Sequence, residues 1–369
     1  PYVMIIGCPS EIKVKEYRVG LIPAAVKVLV ADGHTVLIQS NAGVGSGISN
    51  EQYKAVGAEI TEKPETIWER ADLICKVKEP LPAEYPLMRS GQILFTYLHL
   101  AANLELTDVL LKQKISGIAF ETIQVGPSLP LLKPMSEVAG RMSVQVGAWC
   151  LEKHQGGKGL LLGGVTGVPK AKVVILGGGA AGLQAAKVAL GMGALVTLLD
   201  INLERLEYLD HIFSERIQTL YSTHHNIADA VREADLVIGA VLIAGAKAPK
   251  LVTRDLLSQM SKGSAIIDIA IDQGGCVETM HATTHDNPIF EVEGIIHYGV
   301  ANMPGAVART STFALAQATM PYMRLLANAG LKAALEQNKS LALGLNTYQG
   351  YLTYEAVAQA HGLAFHEYS

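Results

Sequence analysis

The chain has 369 residues, 49% of them hydrophobic and 17% charged, with a net charge of −4. Such a chain buries a large core, is not disordered, and is too long for one comfortable domain, so two domains are expected. It carries no basic stripe, no aromatic–basic interleave and no uncharged apolar run of roughly 18 residues, which argues against nucleic acid and membrane as partners.

Met4–Gly7 already reads as a strand, so no secretory leader is expected before it. Arg18 lies in the loop that follows. Pro23 opens a helix that runs to Asp32 and stops at Gly33, proline early and glycine late as helix ends prefer. His34–Gln39 reads as a strand and 41–49 as a glycine-rich loop. Leu73–Val77, Ile93–Tyr97 and Ile115–Ala119 read as further strands, with a helix over Leu104–Lys112. This is an α/β unit without a phosphate-binding fingerprint. A proline-bearing connector, 126–134, follows. Ser136 then reads as the N-cap of a long helix reaching about Lys153, ended by Gly156 and Gly157. Cys8, Cys75, Cys150 and Cys276 stand far apart in mostly apolar surroundings. They read as free thiols of a reducing compartment, the cytoplasm by default.

The stretch Lys172–Asp200 is the most informative. Val173–Leu176 is a short apolar run, as a buried parallel strand should be. Gly177-x-Gly179-x-x-Gly182 follows at once, then a helical pattern over Ala180–Leu190, then a second strand, Val196–Leu199, ending in Asp200. Strand, glycine turn, helix, strand and acid in this order form the dinucleotide-binding fingerprint. Gly177 permits the tight turn, Gly179 lets backbone approach a pyrophosphate, and Gly182 lets helix and strand pack closely. The helix N-terminus offers N–H groups to the phosphates. Asp200 suits the ribose 2′-OH of NAD and repels the 2′-phosphate of NADP; Arg205, one helical turn on, is the one nearby cation that bears on that choice. Strands near Ile217–Leu220, Leu236–Ala240, Ala265–Ile269 and Ile295–Tyr298 complete a six-stranded set. A helical pattern over about Ser311–Leu326 and the remaining C-terminal helices lie too late for that sheet and are assigned back to the first domain. The expected fold is α/β. It has two Rossmann-like domains, residues 1–133 with 309–369 for substrate and 134–308 for NAD. The second holds a six-stranded parallel sheet. The two flank a cleft and are joined by long helices.

Ligands of open α/β sheets sit at the carboxyl ends of strands. That rule selects Arg18, Lys78 and His99 in the first domain, and Asp272, Asn302 and Met303 in the second. Each has a plainer reading: Arg18 and Lys78 as solvated loop charges, His99 as a buried neutral imidazole, Asp272 as a turn cap. Asp268 is the rival carboxylate and reads as structural. Cys276, His281, His285 and Asp286 include a zinc-like His-x3-His spacing, but the stretch is loop-like and lacks a second cysteine pair, so no metal is expected.

Long runs elsewhere carry a resemblance that covers essentially the whole chain. They are EYRVGLIP (16–23), GHTVLIQSNAGVGSGI (33–48), KVKEP (76–80), GQILFTYLHLAA (91–102), PMSEVAGRM (134–142), DLVIGAVLIAGAKAPKLV (235–252), DIAIDQGGC (268–276) and VANMPGAV (300–307). The sequence resembles the alanine dehydrogenases, a family shared with the NAD-binding subunit of proton-translocating transhydrogenase. The resemblance implies reversible NAD-linked conversion of L-alanine to pyruvate and ammonia by a homo-oligomer, commonly a hexamer. It implies that Arg18 and Lys78 bind the substrate carboxylate and that His99 and Asp272 are the catalytic pair, with Lys78 as the alternative base. It implies that Ser136, Asp200, Ser222, Val241, Asn302 and Met303 meet the cofactor. The chain departs from the family's pattern at Ala244 and Ala308, where proline is common, and at Gly178, where alanine is usual. The transhydrogenase relatives lack a histidine at the place of His99, which favours the dehydrogenase over a hydride carrier. The full-length runs disfavour a saccharopine-type enzyme. The intact set of four polar residues disfavours a sensor without turnover.

Overall fold

The structure, a computed structural model, describes residues 2–243 and 247–369, so Ala244 lies outside the described residues. Two compact units emerge, Pro1–Met135 with Val307–Ser369, and Ser136–Ala306.

The first unit begins with six parallel strands: β1 (Ile5–Cys8), β2 (Thr35–Gln39), β3 (Glu59–Thr61), β4 (Leu73–Cys75), β5 (Ile93–Thr96) and β6 (Ser116–Ala119). Their spatial order is β6-β5-β4-β1-β2-β3. The central strands are apolar runs with both faces covered, as parallel sheets require: every residue of β4, β5 and β6 is buried. β3, only three residues long and starting with an exposed glutamate, is too short to show a period in the sequence. The chain leaves β1 toward β2 in one direction and returns to β4 on the other side. The carboxyl ends of β1 and β4 therefore border the topological switch point, where crossover connections diverge and leave a crevice.

The second unit repeats that order. Its strands are β7 (Lys172–Leu176), β8 (Leu195–Asp200), β9 (Gln218–Tyr221), β10 (Leu236–Gly239), β11 (Ala265–Asp268), β12 (Ile289–Val292) and β13 (Ile295–Tyr298). They run β12-β13-β11-β10-β7-β8-β9, with the switch point between β7 and β10. The expected six parallel strands are present, but the sheet has a seventh. β12 pairs antiparallel with β13 through a two-residue turn, Glu293-Gly294, with both residues at positive φ (54° and 78°). Tight hairpins of this kind prefer Asn-Gly or Asp-Gly, and a glutamate in the first position hides the signal.

The same disguise recurs near the C-terminus, where helices alone were expected. After the helix Ala308–Ala329 and two short helices, β14 (Leu345–Tyr348) and β15 (Tyr351–Leu352) form a hairpin over Gln349-Gly350, again at positive φ (48° and 86°). β14 pairs antiparallel with β6 and completes an eight-stranded first sheet. Thr347 fastens it: its Oγ1 accepts from the Gly117 N–H at 3.0 Å and donates to the Ile115 carbonyl at 2.8 Å.

The long helix after the connector runs Lys133–Cys150, not Ser136 to Lys153. Pro134 explains the earlier start, because a first-turn proline sacrifices no helical hydrogen bond. Ser136 is therefore a first-turn residue rather than the N-cap.

Candidate active site

In the second unit the fingerprint turn joins β7 to the helix Ala180–Gly191. Gly177 sits at φ 106°, which side chains other than hydrogen rarely adopt. A Cβ on it would meet the Ala240 carbonyl oxygen at 2.7 Å, so the turn lies against the end of β10 at the switch point. A Cβ on Gly182 would come to 1.8 Å from the Gly177 carbonyl oxygen, so here strand and helix approach as closely as the motif requires. A Cβ on Gly179 would meet, beyond its own chain neighbours, no atom of the described residues within 4 Å. That open space at a helix N-terminus is room for a pyrophosphate, and the residues present fit a dinucleotide.

Asp200 ends β8. Its carboxylate accepts the N–H of Gly178 at 2.7 Å and that of Asn202 at 2.8 Å, so it braces the glycine turn as well as terminating the strand. Arg205 donates its Nε to the Gly178 carbonyl at 2.6 Å and lies over the Tyr208 ring. This cation is tied into the turn, beside Asp200. Ser222 follows β9 and donates its N–H to the Asp200 carbonyl at 3.1 Å. Val241 follows β10. Asn302 and Met303 follow β13: Asn302 has φ 62°, its carbonyl is 3.1 Å from His285 Nε2, and Met303 is buried. Ser136 stands half-buried on the helix Lys133–Cys150.

Asp272 is exposed on a single turn, Ile271–Gln273, after β11. Asp268, the carboxylate that reads as structural in the sequence, holds that loop together with Lys250. Asp268, fully buried at the end of β11, accepts the N–H groups of Cys276 and Val277 on Oδ2 at 3.0 and 3.2 Å. Lys250 Nζ donates to the carbonyls of Gly274 and Gly275. Among the described residues Asp268 Oδ1 has no hydrogen-bond partner. Burial lifts this carboxyl from its ordinary 3.8 to about 6, against the pull of the backbone N–H groups and Lys250. The native state therefore binds more protons than the unfolded chain between these values, and stability from this group falls as pH rises from about 4 through about 6. Asp268→Asn keeps an acceptor for the two N–H groups and removes the buried charge. It should raise the Tm by a few degrees at pH 7.5 and leave it unchanged below pH 4. A lower Tm at pH 7.5 would mean that Lys250 makes the charge favourable.

Of the zinc-like cluster, His281 stacks on Phe290 at 3.8 Å between ring centroids and Cys276 is buried. Among the described residues no group of three or more His, Cys, Asp or Glu is placed to hold a metal ion.

In the first unit, Arg18 and Lys78 lie in the segments that leave β1 and β4, one on each side of the switch point. Arg18 is buried, which excludes its plainer reading as a solvated charge. Its Nε and Nη2 donate to Glu16 at 2.9 and 2.6 Å, and Nη1 lies 3.3 Å from Met135 Sδ. Burial works against the guanidinium charge, but the hydrogen bonds and charge of Glu16 outweigh it and raise the pKa. Lys78 is half-buried, and burial, then the charges of Arg18 and Lys13, push its ammonium down. Its N–H donates to Glu11 Oε1 at 2.9 Å.

His99 follows β5 and is exposed, not buried. It adopts φ 50°, ψ 43°, a left-handed conformation that costs a non-glycine residue free energy. Glu121 holds it there, accepting the N–H groups of Leu98 and His99 at 3.1 and 3.0 Å. The Tyr97 ring lies alongside at 6.2 Å, its hydroxyl donating to the Leu131 carbonyl. Glu11, Glu16 and Glu121, none of them singled out by the sequence reading, thus support the three polar residues that were. A carboxylate in a generic loop carries no local signal of the N–H groups it will meet.

The family models for "Alanine dehydrogenase/PNT, N-terminal domain" and "C-terminal domain" match residues 7–139 and 143–355. The chain is 57% identical over 364 residues to an alanine dehydrogenase of Methanococcus maripaludis, covering 98% of each chain. It is 56% identical over 363 residues to one of Bacillus subtilis, covering 98% of this chain and 96% of that one. Its fold is similar to a solved L-alanine dehydrogenase, with TM-score 0.95, 54% identity and coverage of 97% and 99%. It is also similar to a transhydrogenase from Sinorhizobium meliloti, with TM-score 0.82, 25% identity and coverage of 95% and 99%.

Proposed function

The chain belongs to the alanine dehydrogenase/PNT family, and from that premise we propose that it is an NAD-dependent alanine dehydrogenase. L-Alanine, NAD⁺ and water give pyruvate, ammonium, NADH and a proton, reversibly. The observation that supports this reading most is the pair of cations at the switch point of a sheet that has no phosphate turn of its own, with an imidazole after the neighbouring strand. That is an anchor for a small carboxylate with an acid–base group close by.

When bound, the nicotinamide accepts the hydride from the substrate α-carbon. The chain's own residues do the rest. Arg18 and Lys78 grip the carboxylate; a carboxylate oxygen outcompetes Met135 Sδ, a weak acceptor, for Arg18 Nη1. His99 moves protons to and from the water that attacks the iminium carbon and the amine that leaves it. The lowered pKa of Lys78 makes it the alternative base. Asp272 holds the polar intermediate or the water. Ser136, Ser222, Val241, Asn302 and Met303 bind the cofactor with the glycine turn and Asp200, making Ser136–Ala306 the NAD unit and the other unit the substrate unit. The reading extends to a homohexamer, on the resemblance, and to the cytoplasm, on four cysteines that stand as free thiols.

The test is NADH formation with a panel of amino acids, using NAD and NADP. L-Alanine with NAD should be fastest; no turnover with any amino acid, beside hydride exchange between nucleotides, would overturn the reading. A second expectation concerns Asp200. NAD should be preferred over NADP, and Asp200→Gly should narrow the ratio of kcat/KM values by about tenfold or more through loss of repulsion of the 2′-phosphate. Equal wild-type activity with both cofactors would remove Asp200 from that role.

A further inference from the structure

We propose that Glu11 is a positioning residue for the substrate carboxylate, locking the loop that carries Arg18 to the strand end that carries Lys78 across the switch point of the first sheet. The inference rests on the anchor reading of those two cations. Glu11 belongs to the loop after β1, seven residues before Arg18. Its Oε2 accepts the Val77 N–H at 3.2 Å and its Oε1 the Lys78 N–H at 2.9 Å. One side chain from the first loop thus holds the backbone of the second at the residue that must meet the ligand. Lys13 and Glu79 add an ion pair at 3.0 Å between the same two segments, with Lys13 partly exposed.

A carboxylate this deeply buried needs compensation. Lys76, also buried, supplies it: Nζ lies 3.3 Å from Glu11 Oε1 and 3.3 Å from Glu84 Oε2. Glu84 Oε1 in turn accepts the Leu81 N–H at 3.1 Å. The KVKEP run therefore divides its two lysines. Lys76 points into the unit and sustains Glu11, while Lys78, two residues on, stands half-buried with Arg18 among its neighbours. An anchor built from two segments works only if their spacing is fixed, because small misplacements of positioning groups cost large factors in rate. The charged and titratable groups around Lys78 are Arg18, Lys13, Glu16 and Glu79. Those around Glu11 are Lys76, Glu16, Arg18, Cys8 and Cys75.

The competing account is that Glu11 only neutralises Lys76. A triple variant, Glu11→Met with Lys76→Met and Glu84→Gln, removes the buried charges together, so that no unpaired ion remains, and removes the clamp. In the full-length protein its Tm should stay within a few degrees of wild type and its NADH Kd within about twofold. Its pyruvate KM should rise about tenfold or more, and the basic limb of its kcat/KM–pH profile should move. Wild-type KM and pH profile in a folded triple variant would overturn the proposal. If the triple variant does not fold, Glu11→Gln decides. It keeps the shape and one acceptor but turns an N–H₂ toward the second N–H, and it should raise pyruvate KM several-fold; an unchanged KM overturns the proposal. Arg18→Lys, run alongside, separates the two layers: unchanged pyruvate KM there would overturn the anchor reading itself.

Discussion

Alanine deamination by the His99→Ala protein is expected to run about 10²-fold slower or worse, with pyruvate amination slowed to the same extent, the usual loss for a positioned acid–base group. NADH binding should survive, because His99 belongs to the first unit and the glycine turn to the second. The kcat/KM–pH profile should lose one ionisation. The local structure raises the stakes of this prediction. A histidine held in the left-handed region by a carboxylate on its own N–H carries a backbone cost that a packing residue has no reason to bear. Asp272→Ala should cause a loss of similar size. Near wild-type turnover and an unchanged profile in His99→Ala would make Lys78 the leading base. A dead Asp272→Ala beside an active His99→Ala would assign the proton to the carboxylate.

The glycine turn yields the second large effect, as a contrast between two substitutions three residues apart. In Gly182→Ala the new methyl would sit 1.8 Å from the Gly177 carbonyl oxygen, and backbone must move to admit it. We expect a Tm several degrees lower and NADH Kd raised about a hundredfold or more, both fold and binding suffering. In Gly179→Ala the methyl meets, beyond its chain neighbours, no atom of the described residues within 4 Å, so the Tm should hold while NADH binding weakens, because the methyl fills the space open to a phosphate. Thermal melts and NADH fluorescence titrations check both. A Gly182→Ala protein with wild-type Kd, or a Gly179→Ala protein that melts early yet binds normally, would show that the turn does not hold the pyrophosphate.

The sequence disclosed most where physics is local. A glycine motif between a buried strand and a helix announces its own geometry, and the apolar runs of β1, β4, β5, β7 and β10 admit few other structures. Reading stopped where the deciding partner is remote. Glu-Gly and Gln-Gly do not look like hairpin turns until a strand is found to pair, so β12 and the β14–β15 hairpin went unseen. Pro134, the first residue of the motif-bearing run, moved a helix start away from Ser136. The strand-end rule selected Arg18, Lys78 and His99. It did not reach Glu11, Glu16 or Glu121, whose importance lies in backbone N–H groups that only the folded chain presents. Nor did KVKEP reveal which lysine faces inward; Lys76 is buried against Glu11 and Glu84, partners that only the folded chain brings to it, while Lys78 stays half-buried.

The C-terminal hairpin has a consequence for how the protein is made. β6 ends at Ala119 and its partner β14 begins at Leu345, so 225 residues of chain separate the two strands. On a ribosome adding about 5–20 residues each second, β6 waits roughly 10–45 s for its neighbour. The whole of Ser136–Ala306 leaves the exit tunnel in that interval, so the unit encoded second is completed first. Throughout, the outer edge of β6 offers unpaired N–H and carbonyl groups to any other extended chain, including those on neighbouring ribosomes of the same message. Nascent chains of this protein thus have an interval in which a holding chaperone has a definite strand to cover, and a message cut short before the codon for Leu345 yields a product whose exposed edge never closes.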